Sequence, residues 1–125
     1  MKHSRTKLNI LFLCALSTLV ASGCSQKPSM YYWGEYEGLV YKMYIEPGNA
    51  EPDVQIEKLK NDIQHAQNQG KKTPPGIYAH LGFRYATVGT NQLAIEPFSQ
   101  EKMLFPESAK FLDGMMKRAL KEVKS

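Results

Sequence analysis

The side chains able to do chemistry are few in this 125-residue chain. Beyond residue 23 the histidines are His65 and His80, and no H-E-x-x-H, Cys-x-x-Cys or glycine-rich phosphate loop accompanies them. Zinc sites usually take at least three protein ligands, so two histidines on separate segments predict surface or partly packed residues and no metal. Glu57, Asp62, Glu96, Glu101 and Glu107 contain no pair whose spacing singles it out for acid–base work on a sugar. Solvated helix charge is the expectation for them. The densest polar cluster is Glu101-Lys102 with Glu107 around Phe105, and there Glu107 and Ser108 suit the capped start of a last helix. The expectation is a chain with no catalytic residue, metal or cofactor.

Cys24 is the exception, because of what precedes it. Lys2, Arg5 and Lys7 open the chain, Leu8 to Val20 is mostly apolar, and Ala21-Ser22-Gly23 are small. These are the three regions of a secretory leader. The apolar run is shorter than the roughly 20 residues of a permanent membrane helix. Ala21-Ser22-Gly23-Cys24 resembles the lipobox of bacterial lipoproteins, with Ala21 where leucine is usual. That resemblance implies acylation of Cys24, and Ser25 after it implies sorting to the outer membrane. Each buried CH₂ of such an anchor contributes about 0.8 kcal/mol. The domains expected are a leader over 1–23, a lipidated tether over 24–30 and a helical domain over 31–125.

The leader accounts for most of the basic character. Lys and Arg number 16 against 12 Asp and Glu, but residues 1–23 hold three of the basic residues and no acidic one, leaving 13 against 12. A mature chain this close to neutrality is not expected to bind nucleic acid. Cys14 leaves with the leader and Cys24 is occupied by lipid, so no disulfide is expected and packing must hold the domain.

The elements follow from periodicity. Tyr36, Leu39, Val40, Met43 and Tyr44 fall on one face of a first helix. Around it Tyr31, Tyr32, Trp33 and Tyr41 make an aromatic cluster. Packing is the main expectation for this cluster, with a ligand, glycan or membrane surface formed by Tyr31, Tyr32, Trp33, Tyr36 and Tyr41 as the alternative. Glu46-Pro47-Gly48-Asn49 is a turn. A second helix is predicted from about Pro52 to Gln69, with Val54, Ile56, Leu59, Ile63 and Ala66 as its apolar stripe and Gly70 as its stop. The last helix begins after Pro106, with Phe111, Leu112, Met115, Met116, Ala119, Leu120 and Val123 opposite a lysine-rich face.

Between them, Tyr78, Leu81, Gly82, Tyr85, Ala94, Phe98 and Pro106 stand at the offsets of the tetratricopeptide pattern, with Tyr78 in the place of tryptophan. The pattern predicts a helical hairpin turning at Gly89-Thr90-Asn91, in which Gly82 admits the second helix closely. Pro97 disagrees, since a mid-helix proline costs roughly 3 kcal/mol. The second helix therefore starts late or bends there. The fold class predicted is all-α, a short tetratricopeptide-like stack of antiparallel helices closed by a C-terminal capping helix.

Tyr32-Trp33-Gly34-Glu35-Tyr36-Glu37, Pro47-Gly48, Pro75-Gly76 with Ala79-His80-Leu81-Gly82, and Leu104-Phe105-Pro106-Glu107-Ser108 resemble the envelope lipoproteins classed as domain-of-unknown-function family 4810. The resemblance implies a tetratricopeptide-like lipoprotein encoded beside a lipoprotein similar to the curli secretion channel, and it carries no catalytic residue. The function expected is a non-enzymatic docking or assembly component on the periplasmic face of the outer membrane. Its expected partners are the membrane, through the lipid anchor, and other envelope lipoproteins. A binder of small ligands or cell-wall glycan is the alternative.

Overall fold

The structure, a computed structural model, describes residues 29–48 and 51–122. The leader, Cys24, Asn49 and Val123 lie outside the described residues. Five α-helices are found among the described residues: α1 Tyr36–Ile45, α2 Pro52–Asn68, α3 Ile77–Thr87, α4 Asn91–Leu104 and α5 Ala109–Glu122. A 3-10 turn, Pro106–Ser108, leads into α5. No helix among them is long and apolar enough to cross a membrane. The molecule is an all-α stack, as the periodicity predicts.

Local chemistry sets the ends of these helices. Pro52 opens α2, where its missing N–H has no intrahelical role, and Asp53 complements the positive end of the helix. α2 and α3 close in the same way. Past α2, Gly70 N–H bonds the Gln67 carbonyl at 3.1 Å and Lys71 N–H the Ala66 carbonyl at 2.9 Å. Past α3, Gly89 N–H bonds Ala86 at 3.2 Å and Thr90 N–H bonds Tyr85 at 2.9 Å. Both are Schellman ends with a left-handed glycine. At the start of α5, Ser108 donates its hydroxyl to the Phe105 carbonyl at 2.6 Å, so it braces the 3-10 turn where a cap with Glu107 was expected.

The most extensive helix contact is between α3 and α4. A methyl group on Gly82 would lie 2.7 Å from the Phe98 ring and 3.1 Å from the Ala94 carbonyl. Hydrogen at that position is therefore what lets the two helices meet. α4 runs unbroken from Asn91 through Pro97. Pro97 deprives the Leu93 carbonyl of its usual donor, and Leu93 is exposed, so water can serve instead. Burial of Ala94, on the preceding turn, and of Phe98, the next residue, offsets the defect.

Two apolar clusters form the core. Tyr36, Leu39, Ile56, Leu59, Ile63, Ile77 and Leu81 make one, and Ala94, Phe98 and Leu112 the other. Tyr85 packs against both. Several residues of the predicted stripes stay outside: Val54, Phe111, Leu120 and, at 84% exposure, Tyr44. α1 is a ten-residue helix held mainly by its first turns, so its C-terminal half reaches past the core.

Candidate functional site

Where α1 overhangs, a groove of about 550 Å³ opens. α1 supplies Tyr36, Val40, Met43 and Tyr44, α3 supplies Ala79, His80 and Phe83, and α5 supplies Phe111, Met115 and Arg118. The lining is mostly apolar, and no carboxylate is among it. Phe111 is 64% exposed, so the predicted stripe of α5 is split between core and groove. Leu112 and Ala119 face inward while Phe111 and Met115 line the opening. Two methionines and the four rings of Tyr36, Tyr44, Phe83 and Phe111 give the groove adaptable walls.

A buried polar chain lies beneath it. His80 Nε2 sits 3.0 Å from Gln55 Oε1 and 3.2 Å from Arg84 Nε. Arg84 Nε–H donates, so this nitrogen meets Arg84 as a lone pair, and Gln55 can bond it only through the NH₂ of its amide. Burial, helped by the Arg84 charge, pushes His80 down to about 4. The imidazole is therefore neutral near pH 7, with the guanidinium also resting over the Phe83 ring at 5.3 Å. His80 is buried more deeply than the surface or partly packed residue expected, whereas His65 is exposed and stacks on Tyr32 at 6.0 Å between ring centres.

Two carboxylates hold helix starts from a neighbouring helix. Glu101, on α4 and almost fully buried, accepts from Gly76 N–H at 2.6 Å, Tyr78 N–H at 3.2 Å and Ala79 N–H at 3.3 Å. These donors form the positive end of α3. Burial raises the Glu101 carboxyl above its ordinary value, and the three N–H groups pull it back. Asp62, on α2, accepts from Glu35 N–H at 2.9 Å at the start of α1. It too is raised by burial, against the pull of the backbone N–H groups. Each clasp needs a glycine with positive φ just before the helix. Gly34, at φ +48°, would push a methyl to 2.1 Å from Asp62 Oδ1, and Gly76, at φ +92°, to 2.6 Å from the Tyr36 hydroxyl. That hydroxyl is pushed up to about 12, first by burial and then by the Glu101 charge.

The predicted hairpin residues come together: Leu81, Gly82, Ala94 and Phe98 are buried, Tyr78 and Tyr85 are half-buried against them, and Pro106 opens the 3-10 turn. The aromatic segment is spread over several surroundings. Trp33 stacks on Tyr36 at 6.4 Å and meets Tyr31 edge-on at 6.1 Å, while Tyr41 is 65% exposed. Of the carboxylates picked out by type, Glu101 and Asp62 proved to be helix clasps. Their burial left no trace in periodicity, although Pro75-Gly76 before α3 marks where an outside acceptor is needed. Arg118, Phe83 and Phe111 as groove residues were legible only as parts of helix faces.

Fold and site together define an all-helical stack clasped by interhelical carboxylates, with one apolar groove between its first, third and last helices. The chain belongs to the family described as a domain of unknown function, DUF4810, whose model matches residues 30–115. No curated protein and no solved structure matches it significantly.

Proposed function

We propose that the protein is a lipid-anchored, non-enzymatic docking component on the periplasmic face of the outer membrane. On this reading it receives a helix of another envelope lipoprotein, such as a partner similar to the curli secretion channel. The observation that carries the docking role is the groove walled by α1, α3 and α5. Three helices flank a mostly apolar trough, as in helix-in-groove recognition, and Arg118 without a neighbouring carboxylate in the lining favours an acidic residue on the incoming helix. The α3–α4 hairpin, with Gly82 against Phe98, is of the tetratricopeptide kind that builds docking surfaces. Cys24 with its lipobox-like context supplies the anchor.

A photo-crosslinking residue at Tyr44 or Phe111, in cells making the full chain, tests the reading, with exposed Lys60 as the control position. The expected result is a discrete adduct from both groove positions and none from Lys60. The crosslinked peptide should be an amphipathic acidic segment of an envelope protein, and Arg118→Glu should remove it. Equal adducts at Lys60, or none in the groove, would overturn the reading.

A further inference from the structure

Groove and anchor leave the surface where the described chain begins unaccounted for. Tyr32 N–H donates to the Lys72 carbonyl at 2.9 Å, and Lys72 N–H to the Met30 carbonyl at 3.3 Å. This short parallel bridge fixes the entry of the chain against the loop between α2 and α3. Beside it lies a second recess, of about 420 Å³, whose lining includes Tyr31, Lys71, Lys72, Tyr78, Leu104 and Phe105. Met30, whose carbonyl joins the bridge, and Leu104 in the recess are exposed large apolar residues, at 57% and 47%. No carboxylate lines the recess, and the ammonium groups of Lys71 and Lys72 make no ion pair among the described residues.

We infer that this face lies on the bilayer and that Lys71 and Lys72 bind the phosphates of anionic lipid headgroups. The inference takes the acyl anchor at Cys24 from the proposed function and adds how the domain rests on the lipid. Only four residues, Ser25 to Pro28, separate Cys24 from Ser29, where the described chain begins, and the Cα–Cα steps between the two reach at most about 18 Å. The surface at the end of so short a tether is held near the headgroups. It combines the two components that interfacial surfaces use, aromatic and apolar side chains beside lysines. A protein partner has no such reason to sit where the tether enters. Around α3, Tyr78 in this face and Phe83 in the groove are about 140° apart. Resting the recess on lipid therefore leaves the groove turned toward the periplasm.

The test uses the full chain made with its leader in a Gram-negative host and reconstituted into vesicles. The vesicles are phosphatidylethanolamine with phosphatidylglycerol, or phosphatidylcholine alone. A single fluorophore is placed at Leu104→Cys, or at Tyr44→Cys as the groove control. The expected result is protection of Leu104 from an aqueous quencher on the anionic vesicles, with Tyr44 left accessible. Each lysine near an anionic surface raises the docked population about fivefold, so Lys71→Glu with Lys72→Glu should lower the docked-to-free ratio by about 25-fold or more. Lys71→Gln with Lys72→Gln gives a smaller loss of the same sign should the reversal fail to fold. Leu104 as accessible as Tyr44, or protection indifferent to both lipid charge and the lysines, would overturn the inference. The mass of the N-terminal peptide reads the anchor separately. An unacylated chain would sink the anchorage, and Leu104 protection on added vesicles would still decide the lipid-binding face.

Discussion

Glu101 is the residue on which most backbone donors converge. Its replacement by alanine strips partners from the N–H groups of Gly76, Tyr78 and Ala79 in a site closed to water, and we expect a loss of about 3 kcal/mol in urea unfolding. Glu101→Gln keeps an acceptor and should cost about 1 kcal/mol, because the raised carboxyl already tolerates neutrality. His80 works in the opposite sense to the two carboxyls. Its folded value is depressed from 6.5 to about 4, so its contribution is present above 6.5 and is lost as pH falls through 4. Asp62 and Glu101, both raised, contribute below the ordinary carboxyl range, a share that is lost as pH rises through their folded values. Relative to His80→Gln, the parent should therefore lose up to about 3 kcal/mol between pH 7 and pH 4. Parallel unfolding curves for the two proteins across that range would refute this account of His80.

Among the elements, the α3–α4 hairpin carries the strictest geometric demand. Gly82→Ala should cost about 1–3 kcal/mol by pressing on the Phe98 ring, and Phe98→Ala about 3–5 kcal/mol by leaving a cavity. In the Phe98→Ala background the Gly82→Ala cost should fall by more than half, a coupling that a double-mutant cycle on thermal unfolding would read. Equal costs in both backgrounds would mean that the ring is not the obstacle. This hairpin was also the most legible element, since Gly82 opposite Ala94 and Phe98 is a close approach written as residue sizes at fixed offsets. α2 was legible for a similar reason: Pro52 and Gly70 mark its ends chemically. Tyr44 and Val54 were misplaced because helical spacing assigns a face without saying how far along the helix the neighbour extends. Pro97 looked like a late start or a bend because a local penalty is visible in sequence, whereas the burial of Ala94 and Phe98 that outweighs it is tertiary. Glu101 and Asp62 were hidden more deeply, because a buried acid and a solvated one are the same letter.

For the molecule as a whole, the division of labour follows the way the helices are tied. The two core clusters meet at Tyr85, so α3 is the member shared by hairpin, groove floor and recess wall. The groove draws on residues from α1, α3 and α5, which is why no single stretch announced it. Surface ion pairs add little to this frame: Lys58–Glu35 and Lys102–Asp113 join neighbouring segments at partly exposed positions. The Tyr31–Lys72 bridge has a mechanical meaning. Tension applied ahead of Ser29 reaches the backbone bonds between Tyr32, Lys72 and Met30 before it reaches α1. The load passes into the loop that feeds α3, the best-anchored helix, and bypasses the short one that walls the groove. The bridge thus acts as a strain relief, so that tugging at the attachment point leaves the shape of the groove undisturbed until those two bonds part.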